Sequence, residues 1–571
     1  MTESANLSKD SFKHFAAWLA ALFLIVVGAQ LWVVQLYGSP LPMWDQWFEA
    51  DWFFRPWAEG HLTWKHFFAP FNEHRILFTR LLDLGVIGLN GRWEPMLQMT
   101  VNAFIHAALA CGLAYCLWDF SGRKNAWLIC FLLAPFFALP YAAENALWPM
   151  NSQQYFLSLC WLATLVGLGF GKPGSGWWWL GLAAAIMGLF TMASGLFAPV
   201  AVGGVTVLRM IKQRRMEKGT LITLLCCLAV FGLGLALRVT SDFDRPLRAH
   251  TFMEFTAALT RNLTWPFFRA PEMVCLIPLP LAFLVALYLR PNFPEPRVAE
   301  FLLAMGLWSG LQSAGLAYGR ANYGEIIPAS RYMDLLNIFV IASLFATVLL
   351  WQSWSSGRLP GWAGSLLPLV FAGLIFFGLW RISQIVVDKL LVPTRMMNLA
   401  AEERVETFWA TGNEHEFLEP PTVRPNPELA LRLLRDPELE PILPAACLPP
   451  ASRPMPGRLA VISQWLLQNS VAILTGGLLL FAGLCGFGLA RGSFVLARAN
   501  PARIIVLLAS LAALGFVWSK HALQRESVEY GLQCQLAADF KSANNPERAA
   551  FHERKADALQ HQMSSESSQR P

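Results

Sequence analysis

Acidic residues follow soon after the first apolar run of the chain. Asp45, Asp51 and Glu73 lie between residues 43 and 80, in a stretch rich in tryptophan. Carboxylates held among indole rings beside an apolar span experience a reduced dielectric constant, which raises the pKa towards that of a working general base. The alternative is that the tryptophans anchor an interface and the acids only face water. We expect a catalytic base among these three acids and the two others of the same stretch, Glu49 and Glu59.

Two further polar groups are suited to binding a ligand. In the sequence NEHR, Asn72 is expected to cap a helix, which leaves His74 and Arg75 as ligand contacts. The segment PYAAENALWPMNSQQ carries Glu144 and Asn145. An amide offers both a donor and an acceptor, which suits hydroxyl-rich ligands such as sugars. Helix capping is the alternative use of this segment.

Arginines are also frequent in segments between apolar runs. Arg320 and Arg331 flank the sequence ANYGEIIPAS, and an earlier segment holds Arg245, Arg248, Arg261 and Arg269. The guanidinium fork matches phosphate oxygens bidentately. We therefore expect Arg320 and Arg331 to bind the phosphate or pyrophosphate of a lipid carrier, although anionic lipid headgroups would satisfy the same side chains.

The composition indicates which elements must position these residues. Of the 571 residues, 55% are hydrophobic and 14% are charged, and the mean hydropathy is +0.43. A membrane crossing takes about 20 residues, so a dozen crossings would use a little under half the chain. A soluble multidomain enzyme, a disordered chain and a coiled coil are excluded. The net charge of +6 comes without any nucleic-acid-binding pattern, so no nucleic acid is expected as a partner.

Thirteen apolar runs are predicted to cross the membrane. They lie at about 15–34, 95–118, 126–141, 153–171, 177–191, 195–209, 220–238, 273–290, 299–317, 333–351, 362–385, 470–490 and 502–519. The fold class is thus all-α, a polytopic helical membrane protein with about 12–14 transmembrane helices.

The stretch 75–90 is predicted to lie flat at the interface. As a crossing it would place Arg75, Arg80 and Asp83 at membrane depth, each at a cost of about 2.5–3.5 kcal/mol. With this helix outside, every short cytoplasmic loop is basic, as the positive-inside rule requires. The N-terminus is then cytoplasmic and the acidic first loop is on the outer side.

Four regions follow from this threading. Residues 1–385 form a transmembrane catalytic module with a first outer loop at 37–94, and 386–465 form a small proline-rich extracytoplasmic insert. Residues 466–519 form a C-terminal transmembrane hairpin, and 520–571 form a polar helical tail.

The chain resembles the GT-C superfamily of polytopic glycosyltransferases. The resemblance rests on WDQW at 44–47 with Asp51 after it, on NEHR opening a juxtamembrane helix, and on SRY at 330–332 at the outer end of a late span. It implies a GT-C-like fold in a bacterial cytoplasmic (inner) membrane, with an active site on the periplasmic side. It also implies a lipid-linked sugar donor, a glycan or lipid acceptor, and contacts with membrane lipids.

The resemblance further implies that a first-loop acid activates the acceptor hydroxyl while arginines hold the departing phosphate. On this basis Asp45 is the preferred base, followed by Asp51 and then Glu73. Many GT-C enzymes carry an adjacent acidic pair, whereas Asp45 and Asp51 are six residues apart. The cofactor is therefore left open, and no metal ligand is assigned. An O-antigen ligase or polymerase is one alternative, with its decisive residues in 239–272 or 386–465. A lipid or glycolipid flippase or transporter is the other, and it predicts ionisable residues within the spans.

Overall fold

Helices form the regular structure of the described chain. The computed structural model describes residues 2–242, 244–322, 328–355, 366–418 and 426–490, and parts of 530–568. Within these ranges one isolated bridge, between Phe71 and His74, is the only β-type pairing. The expected all-α class is confirmed for this part of the chain.

The described α-helices of eight residues or more are numbered in chain order. They are α1 (Thr2–Tyr37), α2 (Leu77–Asn90), α3 (Pro95–Phe120), α4 (Ala126–Ala138), α5 (Ser152–Thr164), α6 (Gly176–Gly188), α7 (Phe197–Gln213), α8 (Lys218–Ala236), α9 (Phe252–Leu263), α10 (Leu279–Tyr288), α11 (Pro296–Gly319), α12 (Met333–Ser355), α13 (Leu366–Val386), α14 (Val392–Thr411), α15 (Pro427–Leu434), α16 (Arg458–Gln468), α17 (Ser470–Ala490) and α18 (Pro546–Ser568).

Nine helical segments of the described residues are long and apolar enough to cross a membrane. They are His14–Tyr37, Pro95–Phe120, Ala126–Leu147, Ala193–Gln213, Lys218–Ala236, Pro271–Tyr288, Ser330–Trp354, Leu366–Thr411 and Ser470–Phe487. The predicted runs at 153–171, 177–191 and 299–317 are largely helical but are not among these nine. The run at 502–519 lies outside the described residues. The chain is a multi-pass helical membrane protein.

Helix α2 is too short to cross a bilayer. Its 14 residues span about 21 Å at 1.5 Å per residue, less than the roughly 30 Å of a hydrocarbon core. It begins at Leu77, so Asn72 does not cap it, and that expectation is wrong. At its other end Gly91 takes φ +79, which is the left-handed conformation typical of a helix C-terminus.

The charged residues of α2 face protein, not water. Arg80 and Asp83 are both buried. Arg80 donates to the Glu49 carboxylate at 2.7 Å, and the Gln98 amide donates to Asp83 at 2.6 Å. Since buried charges and polar groups need partners, these two contacts fix α2 against the first outer loop and against α3.

The connecting segments fall at two opposite ends of the helices. At one end Arg209 of α7 pairs with Glu300 of α11 at 2.7 Å, and Arg297 lies 3.9 Å from Asp119 at the end of α3. At the other end lie the first outer loop and the segments that follow α8 and α11.

The first outer loop and the insert share one hydrophobic core. Trp47, Phe53 and Trp93 of the loop pack in a single buried cluster with Phe408 and Leu433 of the insert. The backbone N–H of Trp93 also donates to the Ile442 carbonyl at 2.9 Å. We call residues 38–94, 392–418 and 426–448 together the outer cap.

The insert continues directly from the preceding span. Helices α13 and α14 are joined by a π-helical turn, Val387–Leu391, so that Leu366–Thr411 forms one helical stretch of 46 residues. At 1.5 Å per residue this is about 69 Å, more than twice the thickness of a hydrocarbon core. Its second half therefore projects beyond the membrane, and the predicted boundary at 385/386 falls inside a continuous helix.

The tail lies against the outer cap. Lys555 of α18 pairs with Glu403 of α14 at 3.1 Å. On the same helix Ala549, His552 and Ala556 are buried. These contacts place the tail helix on the same side of the membrane as the insert.

Candidate functional site

A tight turn in the first outer loop presents Glu73 and His74. The backbone groups of Phe71 and His74 exchange two hydrogen bonds, at 2.8 and 2.9 Å. Between them Asn72 has a φ of +50, a left-handed conformation that asparagine tolerates better than most residues. The turn is fixed further because Ala193 donates its N–H to His74 Nδ1 at 3.2 Å.

A cavity of about 330 Å³ opens beside this turn. It lies between the outer ends of α7, α8, α11 and α12. Its polar lining residues are Glu73, His74, Ser194, Arg238, Arg248, Gln312, Tyr318, Arg320 and Tyr332. Three of the predicted site residues, Glu73, His74 and Arg320, are therefore brought together although they are far apart in the sequence.

Arg320 binds two acids with one nitrogen. Its Nη2 atom lies 2.5 Å from Glu73 Oε1 and 3.1 Å from Asp244 Oδ1. Asp244 was not predicted from the sequence, where only the arginines of segment 239–272 were singled out. The signal available was an acid directly before Arg245 in that segment, but no local pattern links it to Glu73.

Burial changes the pKa of two groups at this site. Burial raises the pKa of Asp244 to about 6, the adjacent Glu73 carboxyl adds to this rise, and Arg320 opposes it. Burial also lowers the pKa of His74 to about 4, and the charge of Arg320 lowers it further. His74 is therefore a neutral imidazole at pH 7, and its Nε2 carries the proton because Nδ1 accepts from Ala193.

A short 3₁₀ turn, Ser330–Tyr332, binds Glu144 in three ways. The Ser330 hydroxyl donates to the Glu144 carboxylate at 2.9 Å, and both the backbone N–H and the guanidinium of Arg331 donate to it at 2.7 Å. The Asn145 amide donates to the Arg331 carbonyl at 3.0 Å and to Asp334 at 2.8 Å. Glu144, Asn145 and Arg331 thus form one hydrogen-bonded cluster.

This cluster adjoins both Asp45 and the cavity. The positive charge of Arg331 lowers the pKa of Asp45 and also that of His74, so the guanidinium lies within electrostatic reach of both. Trp44 contacts Trp148, with ring centroids 5.6 Å apart, and Arg331 lies over the Trp148 ring at 5.8 Å. The predicted site residues therefore form two neighbouring groups.

Asp45 differs from the other acids of its loop because its carboxylate has no ion pair or hydrogen bond among the described residues. By contrast, Glu49 pairs with Arg80, Asp51 with Arg432, Glu59 with Arg55 and Glu73 with Arg320. Asp45 is half-buried. Burial raises its pKa, Arg331 opposes the rise, and Glu49 adds to it. An unpaired, partly desolvated carboxylate is a suitable general base.

Asp51 and Arg75 have other contacts. Asp51 lies 2.8 Å from Arg432 of α15 and 3.7 Å from Arg55, which ties the first loop to the insert. Arg75 donates to the backbone carbonyls of Phe68 at 2.7 Å and Leu237 at 3.4 Å. Neither side chain lines the cavity.

Two arginines of the cavity wall retain donors for a ligand. Arg238 is exposed at the end of α8 and makes no ion pair among the described residues. Among the described residues, Arg248 donates only to the Ser241 carbonyl, at 3.4 Å. Guanidinium groups of this kind bind phosphate oxygens. The described residues contain no group of three or more His, Cys, Asp or Glu side chains placed to hold a metal ion.

The comparisons with known proteins return no relative. No protein-family model matches the chain, and no curated protein and no solved structure is similar to it.

Proposed function

We propose that this protein is a membrane glycosyltransferase of GT-C type. It would move a sugar from a polyprenyl phosphate or pyrophosphate donor to a glycan or lipid acceptor on the outer side of a bacterial cytoplasmic membrane. The observation that carries the proposal is the unpaired, half-buried carboxylate of Asp45, whose pKa is raised by burial. Asp45 does not line the cavity, whose wall holds Arg238 and Arg248.

The proposal assigns opposite tasks to the two groups of residues. The cavity supplies positive charge, because Arg238 and Arg248 have few contacts of their own and can bind phosphate oxygens. Asp45 supplies a base whose pKa is raised by burial. The charge of Arg331 acts on both Asp45 and His74 of the cavity wall, and Glu144 holds its guanidinium. In this proposal Arg331 positions the base and the cavity relative to each other.

The reaction step balances as a displacement at the anomeric carbon of the sugar. The Asp45 carboxylate takes the proton of the acceptor hydroxyl while the hydroxyl oxygen forms a bond to that carbon. The bond between the carbon and the phosphate oxygen breaks, and its electron pair leaves with the phosphate. Arg238 and Arg248 stabilise the negative charge that develops on this leaving group.

The proposal is tested by Asp45→Asn. The amide keeps the shape of the side chain but cannot take a proton, so transfer should fall by about 10²–10⁴-fold, the usual contribution of a general base. In cells, a deletion strain should lose one glycosyl decoration of an envelope polymer or lipid, measured by mass spectrometry of its glycolipids. Asp45→Asn, expressed at the normal level, should not restore it.

Glu59→Gln is the matched control. Glu59 lies in the same loop and pairs with Arg55, so its neutralisation removes one charge without touching the proposed base and should restore the decoration. Full restoration by Asp45→Asn would refute the mechanism, and it is the result expected of an O-antigen ligase. A deletion strain with unchanged glycolipids would refute the glycosyltransferase itself.

A further inference from the structure

Among the described residues, two buried carboxyl oxygens beside Arg320 receive no hydrogen bond from any donor, although the two carboxyl groups lie within hydrogen-bond reach of each other. They are Glu73 Oε2 and Asp244 Oδ2, one from each of the acids that share the Nη2 atom of Arg320. A buried acceptor without a hydrogen bond destabilises the folded protein, and it does so more strongly when it is charged. Two such oxygens in one site need a physical explanation, and the two carboxyl groups themselves can supply it.

A single proton explains both. If one carboxyl is protonated, its O–H donates to the other, and each orphan oxygen gains a partner. Two carboxylates this close cannot both ionise freely, since like charges disfavour the second ionisation. One arginine compensates one negative charge, so the protonated pair together with Arg320 is neutral.

We propose that Glu73 and Asp244 hold one proton between them, and that Asp244 is the positioning residue that sets the charge of the cavity through Glu73 and Arg320. Asp244 is buried and does not line the cavity, whereas Glu73 and Arg320 do. With the proton the triad is neutral. Without it the triad carries one negative charge, which opposes any anion held by Arg238 and Arg248.

The pH at which this change occurs follows from the surrounding groups. Burial and the neighbouring Glu73 carboxyl raise the pKa of Asp244 to about 6, against the opposing charge of Arg320. The other charged and titratable groups in the wall of the cavity that Glu73 lines are Arg238, Arg248, His74, Tyr318 and Tyr332. The pKa of His74 is lowered to about 4, so this imidazole stays neutral while the pair titrates. The cavity should therefore lose anion affinity as the pH rises through about 6.

Sulfate binding to the purified full-length protein tests this inference, because sulfate keeps its charge over the relevant range. By calorimetry at constant ionic strength, sulfate should bind more weakly at about pH 8 than at about pH 5, by on the order of tenfold. Asp244→Asn mimics the protonated state and should abolish the difference, with the tighter affinity at both pH values. Asp242→Asn, the neutralisation of an exposed neighbour, should leave the difference unchanged. An unaltered pH dependence in Asp244→Asn would overturn the proposal.

Infrared spectroscopy measures the proton without a ligand. As the pH falls through about 6, the native protein should gain a band of a protonated carboxyl that Asp244→Asn lacks. Burial also raises the pKa of Glu94 to about 6, so the band of Glu94 should remain in the variant and the difference between the two spectra reports the pair. If Asp244→Asn does not fold, Glu73→Gln should remove the same band. If the native protein lacks this band, the inference is wrong.

The inference rests on the proposed function only for the anion role of the cavity. A band without any sulfate binding would support the shared proton and refute that role.

Discussion

Asp45 and Glu73 belong to one loop, yet their surroundings give the two carboxylates different chemistry. Glu73 is held by Arg320 at 2.5 Å and shares it with Asp244. Asp45 has no such partner in the described chain, and burial raises its pKa, with Glu49 adding to the rise and Arg331 opposing it. A base must be able to accept a proton from a ligand, so the unpaired carboxylate is the better one, while the paired acids fix geometry and charge.

His74 should remain neutral well below the usual range for histidine. Burial and the charge of Arg320 lower its pKa to about 4, so at pH 5 to 7 the ring carries one proton, on Nε2. We expect ¹⁵N NMR of histidine-labelled protein to show an unprotonated Nδ1 through about pH 5, with the resonance assigned by its loss in His74→Gln. A titration near pH 6.5 would show that the ring is solvated, contrary to the packing against Ala193.

The sequence could indicate which side chains are chemically suited to catalysis or ligand binding. It could not indicate which of them already have an ion-pair or hydrogen-bond partner in the folded protein. Tryptophans and acids in the first loop are visible in the sequence, and so are the arginines of late segments. The partner of each is set by tertiary packing: Asp51 meets Arg432, and Arg320 meets Asp244. These pairs join distant segments, so no spacing rule reveals them.

At the scale of elements, hydropathy could predict where most apolar helices lie but not how long they are. Helices α5 and α6 have only 13 residues each, and α13 and α14 continue as one stretch of 46 residues. Helix α2 shows both the success and the limit of this reasoning. The cost of charges at membrane depth correctly argued against a crossing, and its 14 residues are too few for one. The burial of its Arg80 could not be predicted, because it depends on Glu49, which lies 31 residues away in the sequence.

Helices α1 and α17 approach each other closely at glycine. A Cβ atom on Gly477 would lie 2.7 Å from the backbone nitrogen of Ile25 in α1, whereas one on the adjacent Gly476 would meet nothing within 4 Å. We expect Gly477→Ala to destabilise the protein by about 1–3 kcal/mol, the usual cost of overpacking, seen as a melting temperature lower by a few degrees. Gly476→Ala is the control and should be neutral or slightly stabilising, since alanine favours a helix over glycine.

Equal melting temperatures for the two variants would mean that α17 does not pack on α1 as described. The pair of variants isolates packing from helix propensity, because both change glycine to alanine in the same helix. Gly477 is buried and Gly476 is exposed, so only the contact with α1 differs. The expected difference is therefore a property of how the C-terminal span docks against the first one.

At the scale of the whole molecule, hydropathy and loop charge could predict how the segments sort to two ends. Ion pairs such as Arg209 with Glu300 then hold the inner end together. The outer cap could not be predicted as one body, since its shared core joins Trp47 and Phe53 to Phe408 across several hundred residues of chain. Each of these apolar side chains, viewed alone, is also compatible with a membrane interface.

The orientation of the molecule can be tested by cysteine labelling from one side. Cys534 is exposed in the tail, and the pairing of Lys555 with Glu403 places the tail beside the outer cap. In a Cys275→Ser background, a membrane-impermeant maleimide should therefore label Cys534 in intact spheroplasts. Lys124→Cys, placed at the opposite end in a background that also carries Cys534→Ser, should be labelled only after lysis, because the basic loops are expected to be cytoplasmic.

The reverse labelling pattern would place Asp45 and the arginine cavity on the cytoplasmic side, where an outer-face glycosyl transfer could not use them. Labelling of both positions in intact cells would mean that the tail and the outer cap lie on different sides or that the reagent had entered. A cytoplasmic marker protein with an exposed cysteine decides between these two causes. The predicted result requires the outer cap, the tail and the cavity to lie on one side of the membrane. The ion pair of Lys555 with Glu403 joins the tail to the outer cap, and the ion pair of Arg320 with Glu73 joins the cavity wall to the first outer loop.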